Sequence, residues 1–586
     1  MKDAGIEAKR EPEGNTLNLM TTEDLKASLG QYEEGFQTVL QEAAAADVIK
    51  RIWNKDASLW KNEQSHQKII KNSLGWLTVP GEMLTAVVEL KSFTESVRAT
   101  GEFHHAMVCG MGGSSLCPEV LRQTFGRQEG FPELLVLDST DPDAINNFAH
   151  QIDVNKCLFI IASKSGTTTE PNAFHRYWYH EVAKRSEEPG KGFVTITDPG
   201  SQMADTAASE GFRRIFLNQP DIGGRYSALS YFGMVPGALM GVDIEKLLRG
   251  AQAMGELCKA APATNPGAVL GSVIAECARA GRDKLTIVTD QKLSTVGLWV
   301  EQLIAESTGK EGNGIVPIVG EPLGAVSAYG NDRLFVSISV GEQDGEAKSK
   351  LKALEEAGHP IVYRSLGDIY DLGAEFFLWE MATAFAGWRL EINPFDQPNV
   401  QESKDATKAL LEKYSQEGKL PQPTPLATGG QLSVYGGGEA SQPSNSLREV
   451  LRAHCATIKP GDYFALLAYV EETPETEEAL QAIRVNVRDA TGCATTVGYG
   501  PRFLHSTGQL HKGGPDSGVF IQITAPDKVD LEVPGAPYTF GVLKQAQALG
   551  DFQSLIAHGR RAIQVNLGED ASAGLKELQE LIQQVL

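Results

Sequence analysis

Residues 156–171, KCLFIIASKSGTTTEP, join an apolar run to a loop of hydroxyl side chains and then to the start of a helix. The same succession of apolar run, polar turn and amphipathic segment returns at 105–109, 193–197, 284–289 and 333–340. Strands that alternate with helices in this way predict βαβ units and parallel sheets. We therefore expect an α/β protein with two doubly wound parallel-sheet subdomains.

The rest of the chain divides around this α/β rhythm. The N-terminal part, including Leu25–Ser28, shows helical spacing and predicts a mostly helical region. A later stretch rich in Gly, Pro, Ser and Gln predicts a linker, and strands mixed with helices follow it. The predicted units are a helical region 1–95, a first subdomain 96–250, a second subdomain 251–414, a linker 415–446 and a C-terminal α/β segment 447–586.

The amino-acid composition argues against two kinds of binding partner. The 586 residues carry 75 acidic and 53 basic side chains, a net charge of −22. Such a chain gains nothing from nucleic acid or from anionic lipid, so we expect neither as a partner. The seven cysteines are odd in number and widely spaced, which predicts buried thiols rather than disulfides or a zinc knuckle. With no signal-peptide core and no apolar run of about eighteen residues, we expect a cytoplasmic protein.

The loop that follows the apolar run at 156–162 has the chemistry of a phosphate site. A phosphate monoester binds several short donors that converge on its oxygens beside a helix N-terminus. This loop has more donors than one helix cap requires: Ser163, Lys164, Ser165, Thr167, Thr168 and Thr169. A second loop, CGMGGSSLCP at 109–118, also ends a strand and opens a helix, although any tight turn there would need its glycines.

Other candidate residues stand out by their local setting. Arg225 follows two glycines between apolar flanks, where a half-buried guanidinium needs an anion. Glu306 ends a predicted helix, where the dipole raises the basicity of a carboxylate, and Gln302 faces the same side four residues earlier. Lys404 projects from the first turns of a helix, and His505 lies in a glycine-containing loop before a strand. For each of these alone, a solvated or structural side chain is the competing interpretation.

Taken together, these segments resemble the phosphoglucose isomerase family. One such motif is weak evidence, but five in the family's order over residues 60–415 argue against chance agreement. The motifs are GGSSLCP at 112–118, SKSGTT at 163–168, GGRYS at 223–227, ESTGK at 306–310 and NPFDQPNV at 393–400.

The resemblance implies two sugar-isomerase (SIS) subdomains and the reversible isomerisation of glucose 6-phosphate and fructose 6-phosphate through a cis-enediol. It implies Glu306 as the base, Arg225 as the cation beside the developing oxyanion, and Lys404 and His505 as ring-opening groups. It implies substrate binding by Gly113, Ser114, Ser163, Lys164, Ser165, Thr167, Thr168, Gly224 and Gln302. It also implies no metal or organic cofactor, and a homodimer whose sites borrow a residue across the interface.

The chain departs from the family pattern in one place. The family's ring-opening histidine precedes its lysine motif, but 319–332 contains no histidine. A segment that looks like the histidine motif, carrying His505, follows Lys404 instead. We therefore expect a rearranged C-terminal half in which 447–586 supplies the histidine, similar to the isomerase half of fused transaldolase–isomerase proteins. We expect the isomerase activity alone.

Three alternatives stay open on the sequence. A dual phosphoglucose/phosphomannose isomerase would act on sugars that differ at C2 only. A non-catalytic sugar-phosphate-binding regulator would keep the loop at 163–168 without Glu306, Arg225 and Lys404 together, and the net charge argues against its DNA-binding helices. An isomerase fold used as an extracellular signal conflicts with the free cysteines and the missing signal peptide.

Overall fold

The computed structural model of the protein describes residues 25–343, 345–436, 444 and 446–586. The N-terminal region consists of β1 (Leu25–Ser28), α1 (Glu33–Ala45), α2 (Val48–Trp53), α3 (Gln64–Lys71) and α4 (Val79–Thr100). The prediction of helix at Leu25–Ser28 is wrong, because these residues form an antiparallel edge strand. Four residues are too few to nucleate a helix, and a sheet edge satisfies their backbone groups.

A five-stranded parallel sheet forms the first subdomain, in the order β3-β2-β4-β5-β6. Its elements are β2 (His105–Gly110), α5 (Leu116–Phe125), β3 (Glu133–Leu137), α6 (Pro142–Gln151), β4 (Cys157–Ala162), α7 (Thr169–Ala183), β5 (Phe193–Thr197), α8 (Gln202–Ser209) and β6 (Arg214–Leu217). The central strand β4 is buried along its whole length, as a continuous apolar run covered on both faces should be.

The second subdomain repeats this plan with the strand order β1-β10-β9-β7-β8, parallel except for β1. Its elements, with the three helices that lead into it, are α9 (Tyr231–Leu239), α10 (Ile244–Leu257), α11 (Pro266–Arg279), β7 (Lys284–Thr289), α12 (Val296–Thr308), β8 (Val316–Val319), β9 (Arg333–Val340), α13 (Gly345–Glu356), β10 (Ile361–Leu366), α14 (Leu372–Arg389) and α15 (Pro398–Glu417). Helix α14 packs against α10 and α11 and is buried almost throughout.

A third sheet, in the order β11-β12-β16-β15-β13-β14, forms the C-terminal unit. Its elements are β11 (Ala427–Gly429), β12 (Leu432–Gly436), α16 (Leu447–Cys455), β13 (Tyr463–Tyr469), α17 (Pro474–Thr491), β14 (Ala494–Tyr499), α18 (Gly508–Gly513), β15 (Gly518–Thr524), α19 (Phe540–Ala557), β16 (Arg561–Asn566) and α20 (Ala571–Val585). Strands β13 to β16 are parallel, and β12 adds antiparallel to β16.

The predicted linker 415–446 is only partly irregular, because it contains β11 and β12, which extend this third sheet. Its residues 437–443 and 445 lie outside the described residues. The expected α/β fold with parallel sheets is confirmed, whereas the unit boundaries stay predictions. All seven cysteines are buried free thiols, as expected. None of the described helices combines the length and apolar character needed to span a bilayer.

The C-terminal unit is anchored to both subdomains, and it contacts the first through the ion pair of Arg502 and Asp138, 2.9 Å apart. Helix α19 packs along α15, and α18 contacts α12. A buried carboxylate joins the second sheet to the third: Glu321 accepts the hydroxyl of Thr495 at 2.7 Å and the guanidinium of Arg333 at 3.0 Å. These contacts fix the loop that leads from β14 into α18, which carries His505, between the two subdomains.

Candidate active site

Glu306 and Arg225 form a buried ion pair between the subdomains. Glu306 lies in the last turn of α12, and Arg225 lies in a short 3-10 turn, Gly224–Tyr226, after β6. Arg225 Nη1 is 3.6 Å from Glu306 Oε2, and the two residues are 3% and 7% exposed. Gln302, one turn earlier on α12, donates to the same carboxylate oxygen at 3.2 Å. A carboxylate and a cation thus lie side by side where water has little access.

The guanidinium of Arg225 is fixed by further hydrogen bonds. Its Nε donates to the hydroxyl of Ser307 at 2.7 Å, and its Nη2 donates to the carbonyl of Pro394 at 2.7 Å. Its Nη1 donates to Gln397 Oε1 at 3.0 Å. Because all three nitrogens of the planar guanidinium donate hydrogen bonds, its positive charge has a fixed position and orientation.

Lys310 contacts the segment 393–397, to which Arg225 also donates hydrogen bonds. Its ammonium donates to the carbonyl of Asn393 at 2.9 Å and to the carboxylate of Asp396 at 2.8 Å. Burial lowers the pKa of Lys310 to about 8, and the nearby charge of Arg225 lowers it in the same direction. Arg225 and Lys310 therefore both bind the segment 393–397, which contains Pro394 and Gln397.

The glycine loop after β2 packs directly against these groups. Gly112 has φ +55°, and a Cβ there would meet Gln302 Nε2 at 2.7 Å and the carbonyl of His505 at 2.9 Å. A Cβ at Gly113 would lie 1.9 Å from the carbonyl oxygen of Gly224. Both positions require glycine because backbone meets backbone there. Ser114, half-buried, follows at the end of this loop.

The hydroxyl loop lies between β4 and α7, as predicted. Ser163 is buried and its Oγ has no hydrogen-bond partner among the described residues, while Ser165 Oγ lies 2.9 Å from Thr167 Oγ1. Thr168 is the N-cap residue of α7. Lys164 points elsewhere: its ammonium contacts Asp198 and donates to the carbonyl of Pro220 at 2.8 Å. The loop thus offers hydroxyl groups beside a helix N-terminus, with its lysine already paired.

His505 reaches this region from the C-terminal unit of the same chain. Its Nε2 lies 2.9 Å from Glu170 Oε1, and its backbone carbonyl accepts from Gln302 at 2.7 Å. Burial raises the pKa of Glu170, but the charge and hydrogen bond of His505, with the charge of Lys404, outweigh burial and lower it overall. Glu170 is therefore an ionised partner for the imidazole.

Lys404, on α15, is exposed and lines a cleft of about 520 Å³. The cleft is also lined by Thr167 and Thr168, by Glu170 and by His505. The structure thus brings the hydroxyl loop, the lysine and the histidine to one opening. The buried Glu306–Arg225 pair is connected to this opening through Gln302, which contacts both Glu306 and the backbone of His505.

Comparison with known proteins identifies the family. The phosphoglucose isomerase family model matches residues 64–320. A glucose-6-phosphate isomerase of Cyanothece sp. is 30% identical over 426 residues, which are 60% of this chain and 78% of that protein. The chain belongs to the phosphoglucose isomerase family.

One further relative and two solved structures are similar to this chain over more than half of its length. A probable glucose-6-phosphate isomerase of Methanococcus maripaludis is 25% identical, over 59% of this chain and 86% of its own length. Among solved structures, a hypothetical protein from Thermus thermophilus matches with a TM-score of 0.55 and 25% identity, over 66% of this chain and 99% of its own. The glucose-6-phosphate isomerase of Chlamydia trachomatis shares the fold at a TM-score of 0.53 and 19% identity, over 65% of this chain and 86% of its own.

Several residues of this candidate site were missed by sequence reasoning. Glu170 lies in the first turn of α7, where a carboxylate is ordinarily explained by its favourable interaction with the helix dipole, so nothing in the sequence marked it as a site residue. Gln397 stands inside the quoted lysine motif, adjacent to Asp396, and could have been chosen from it. Lys310 ends the glutamate motif, but its burial is visible only in the folded chain. Gln547, on α19, also lines the cleft, but no motif around it signals this position.

Proposed function

We propose that this chain interconverts glucose 6-phosphate and fructose 6-phosphate, with Glu306 as the base that moves the proton between C2 and C1. The observation that carries the proposal is the buried pair of Glu306 and Arg225, whose nearest charged atoms are 3.6 Å apart. We infer the substrate from the similar proteins, which are named glucose-6-phosphate isomerase or probable glucose-6-phosphate isomerase. A buried carboxylate beside an oriented cation suits proton transfer next to a carbonyl.

The isomerisation step follows from this pair. Glu306 takes the proton from C2 of the open-chain aldose, the electron pair forms the C1–C2 double bond, and O1 gains a proton. The carboxyl then returns its proton to C1 while the proton of O2 leaves, which yields the ketose. Negative charge develops on the sugar oxygens during both halves, and Arg225 stabilises it. Such a donor is worth about 3 kcal/mol of the barrier.

Ring opening precedes this step, because both sugars are mainly closed rings in water. We assign the proton transfers at the ring to His505 and Lys404, which line the same cleft. The Nε2 of His505 is bonded to Glu170, so Nδ1 is the nitrogen left for the sugar.

We assign the sugar phosphate to the hydroxyl loop. Ser163, Ser165, Thr167 and Thr168 cluster at the start of α7, whose positive dipole end favours an anion. The unpartnered hydroxyl of Ser163 is a donor available to a phosphate oxygen. Binding energy from this remote group can position C1 and C2 against the base.

The proposal is tested by conversion of fructose 6-phosphate to glucose 6-phosphate, measured with a coupled dehydrogenase. Glu306→Gln keeps the shape of the side chain and removes the base, so we expect turnover to fall by about 10³-fold or more. The matched control is Glu301→Gln, on the same helix and equally buried at 7% exposure. Burial raises the pKa of Glu301 to about 7, so replacing it with a neutral amide should change little.

Two further arms define the reaction. Dialysis against EDTA should leave turnover unchanged, since both steps move protons only. Mannose 6-phosphate in the same assay tests whether the site also accepts the C2 epimer. Absence of turnover in the wild type, with fructose 6-phosphate still bound in calorimetry, would favour a sugar-phosphate-binding regulator. We also propose that the protein is a cytoplasmic homodimer. Cell fractionation would test its location, and sedimentation equilibrium would test its oligomeric state.

A further inference from the structure

A line of hydrogen-bonded side chains runs from the ring of His505 into the protein. His505 Nε2 lies 2.9 Å from Glu170 Oε1, and Gln547 Nε2 donates to the same oxygen at 2.7 Å. At the other end of the amide, Thr140 Oγ1 donates to Gln547 Oε1 at 2.7 Å. Thr140 follows β3 of the first subdomain, whereas Gln547 lies on α19 of the C-terminal unit. The line therefore crosses the boundary between those two parts.

The inner members of this line are shielded from water. Gln547 is 3% exposed, and Glu170 and Thr140 are buried as well. Because the hydroxyl of Thr140 donates to the amide oxygen, the amide NH₂ faces the carboxylate. The carboxylate thus has two donors on one oxygen, the imidazole and the amide. Water cannot easily replace the amide if it is lost.

We propose that Gln547 is a positioning residue for ring opening: its amide fixes the carboxylate of Glu170, which in turn fixes the ring of His505. This inference rests on the proposed function, because ring opening is the step assigned to His505. Gln547 also lines the cleft that Glu170 and His505 line.

The chemistry of ring opening explains why orientation matters. A proton leaves the C1 hydroxyl of glucose 6-phosphate, the bond between C1 and O5 breaks, and O5 gains a proton. An imidazole can serve this exchange only while its Nε2 is bonded to Glu170 and Nδ1 is turned to the sugar. Without the amide of Gln547, the carboxylate keeps as donors only the imidazole and its own backbone N–H, so its orientation, and with it the direction of the ring, is less well fixed.

The test isolates ring opening from proton transfer at C2. In the Glu306→Gln background isomerisation is blocked, so exchange between the α and β anomers of glucose 6-phosphate reports ring opening alone. This exchange is measured by two-dimensional exchange NMR. Gln547→Leu and Gln547→Glu each remove the donor to Glu170, and each should slow the enzyme-catalysed exchange about tenfold, the worth of a hydrogen bond to a charged group. Thr140→Val leaves the amide in place but unoriented and should slow the exchange less, about threefold.

The controls separate positioning from loss of fold. Gln564→Leu removes another buried glutamine amide of the C-terminal unit, one that donates to Gln522 at 2.6 Å, and should leave anomer exchange unchanged. Calorimetric binding of glucose 6-phosphate should stay the same in all variants. Unchanged exchange in both Gln547 variants, or an equal loss in Gln564→Leu, overturns the positioning role.

The two proposals fail in different ways. If wild-type protein does not isomerise fructose 6-phosphate, the proposed function is wrong and this inference goes with it. If the wild type isomerises and Gln547→Leu opens the ring at the normal rate, only the inference about Gln547 is wrong.

Discussion

The close approach of the two glycine motifs gives a steric prediction with a calculable size. In Gly113→Ala the new Cβ would lie 1.9 Å from the carbonyl oxygen of Gly224, whereas real Cβ contacts stay beyond 3.0 Å. The backbones must therefore separate by about 1 Å, by simple contact distance. Gly224 directly precedes Arg225, so the guanidinium moves with it relative to Glu306. A misplacement of about 1 Å costs about 100-fold in rate, and the overpacking costs about 1–3 kcal/mol of stability.

The matched control lies one residue before Gly224. Gly223 has φ −65°, and a Cβ there would approach nothing closer than 3.8 Å, so Gly223→Ala should be accepted. The assay compares kcat/KM for fructose 6-phosphate and the thermal midpoint of the two variants and the wild type. If Gly113→Ala keeps kcat/KM within about threefold of Gly223→Ala, the two loops do not pack as described and the reasoning is refuted.

Three other predictions follow from the buried charges. Arg225→Lys cannot reproduce the fork to Ser307 and Pro394, so kcat should fall about 10²–10³-fold while fructose 6-phosphate binding in calorimetry is largely kept; normal kcat would contradict this. Lys512→Met leaves the buried carboxylate of Asp551, which lies 2.6 Å from Lys512 Nζ, without a cation. The free energy of unfolding in urea should fall by about 3–5 kcal/mol, and adding Asp551→Leu should restore part of it. Burial lowers the pKa of His454 to about 4, below the unfolded value of about 6.5. The unfolded chain therefore binds the proton more readily, and between pH 7 and 5 the wild type should lose about 2 kcal/mol more stability than His454→Gln does; equal losses in both would argue against it.

The local patterns were predictable because they depend on neighbours in sequence. Strand β4 and the loop 163–168 follow from an apolar run, a set of hydroxyls and a helix start within sixteen residues. The position of Glu306 at the end of α12 follows in the same way. In each case a strand or helix period and a turn residue lie inside one short window.

What the sequence could not provide are contacts made across the fold. Gln547 meets Glu170 across 377 positions of the chain, and no period or motif signals that meeting. The donors counted in the hydroxyl loop included Lys164, but only the folded chain shows Asp198 beside its ammonium. Leu25–Ser28 reads as helix because its pairing partner, β10, lies more than 300 residues later. Long-range pairing decides such cases over local preference.

The arrival of His505 from the C-terminal unit has a consequence for how activity depends on concentration. The acid–base groups assigned to one sugar, namely Glu306, Lys404 and His505, are tethered on one polypeptide. Tethering replaces an encounter between molecules by an intramolecular one, at an effective concentration in the millimolar range or above. Specific activity should then persist on dilution, and a mixture of Glu306→Gln and His505→Ala molecules should show no complementation, because each defect stays confined to the molecule that carries it.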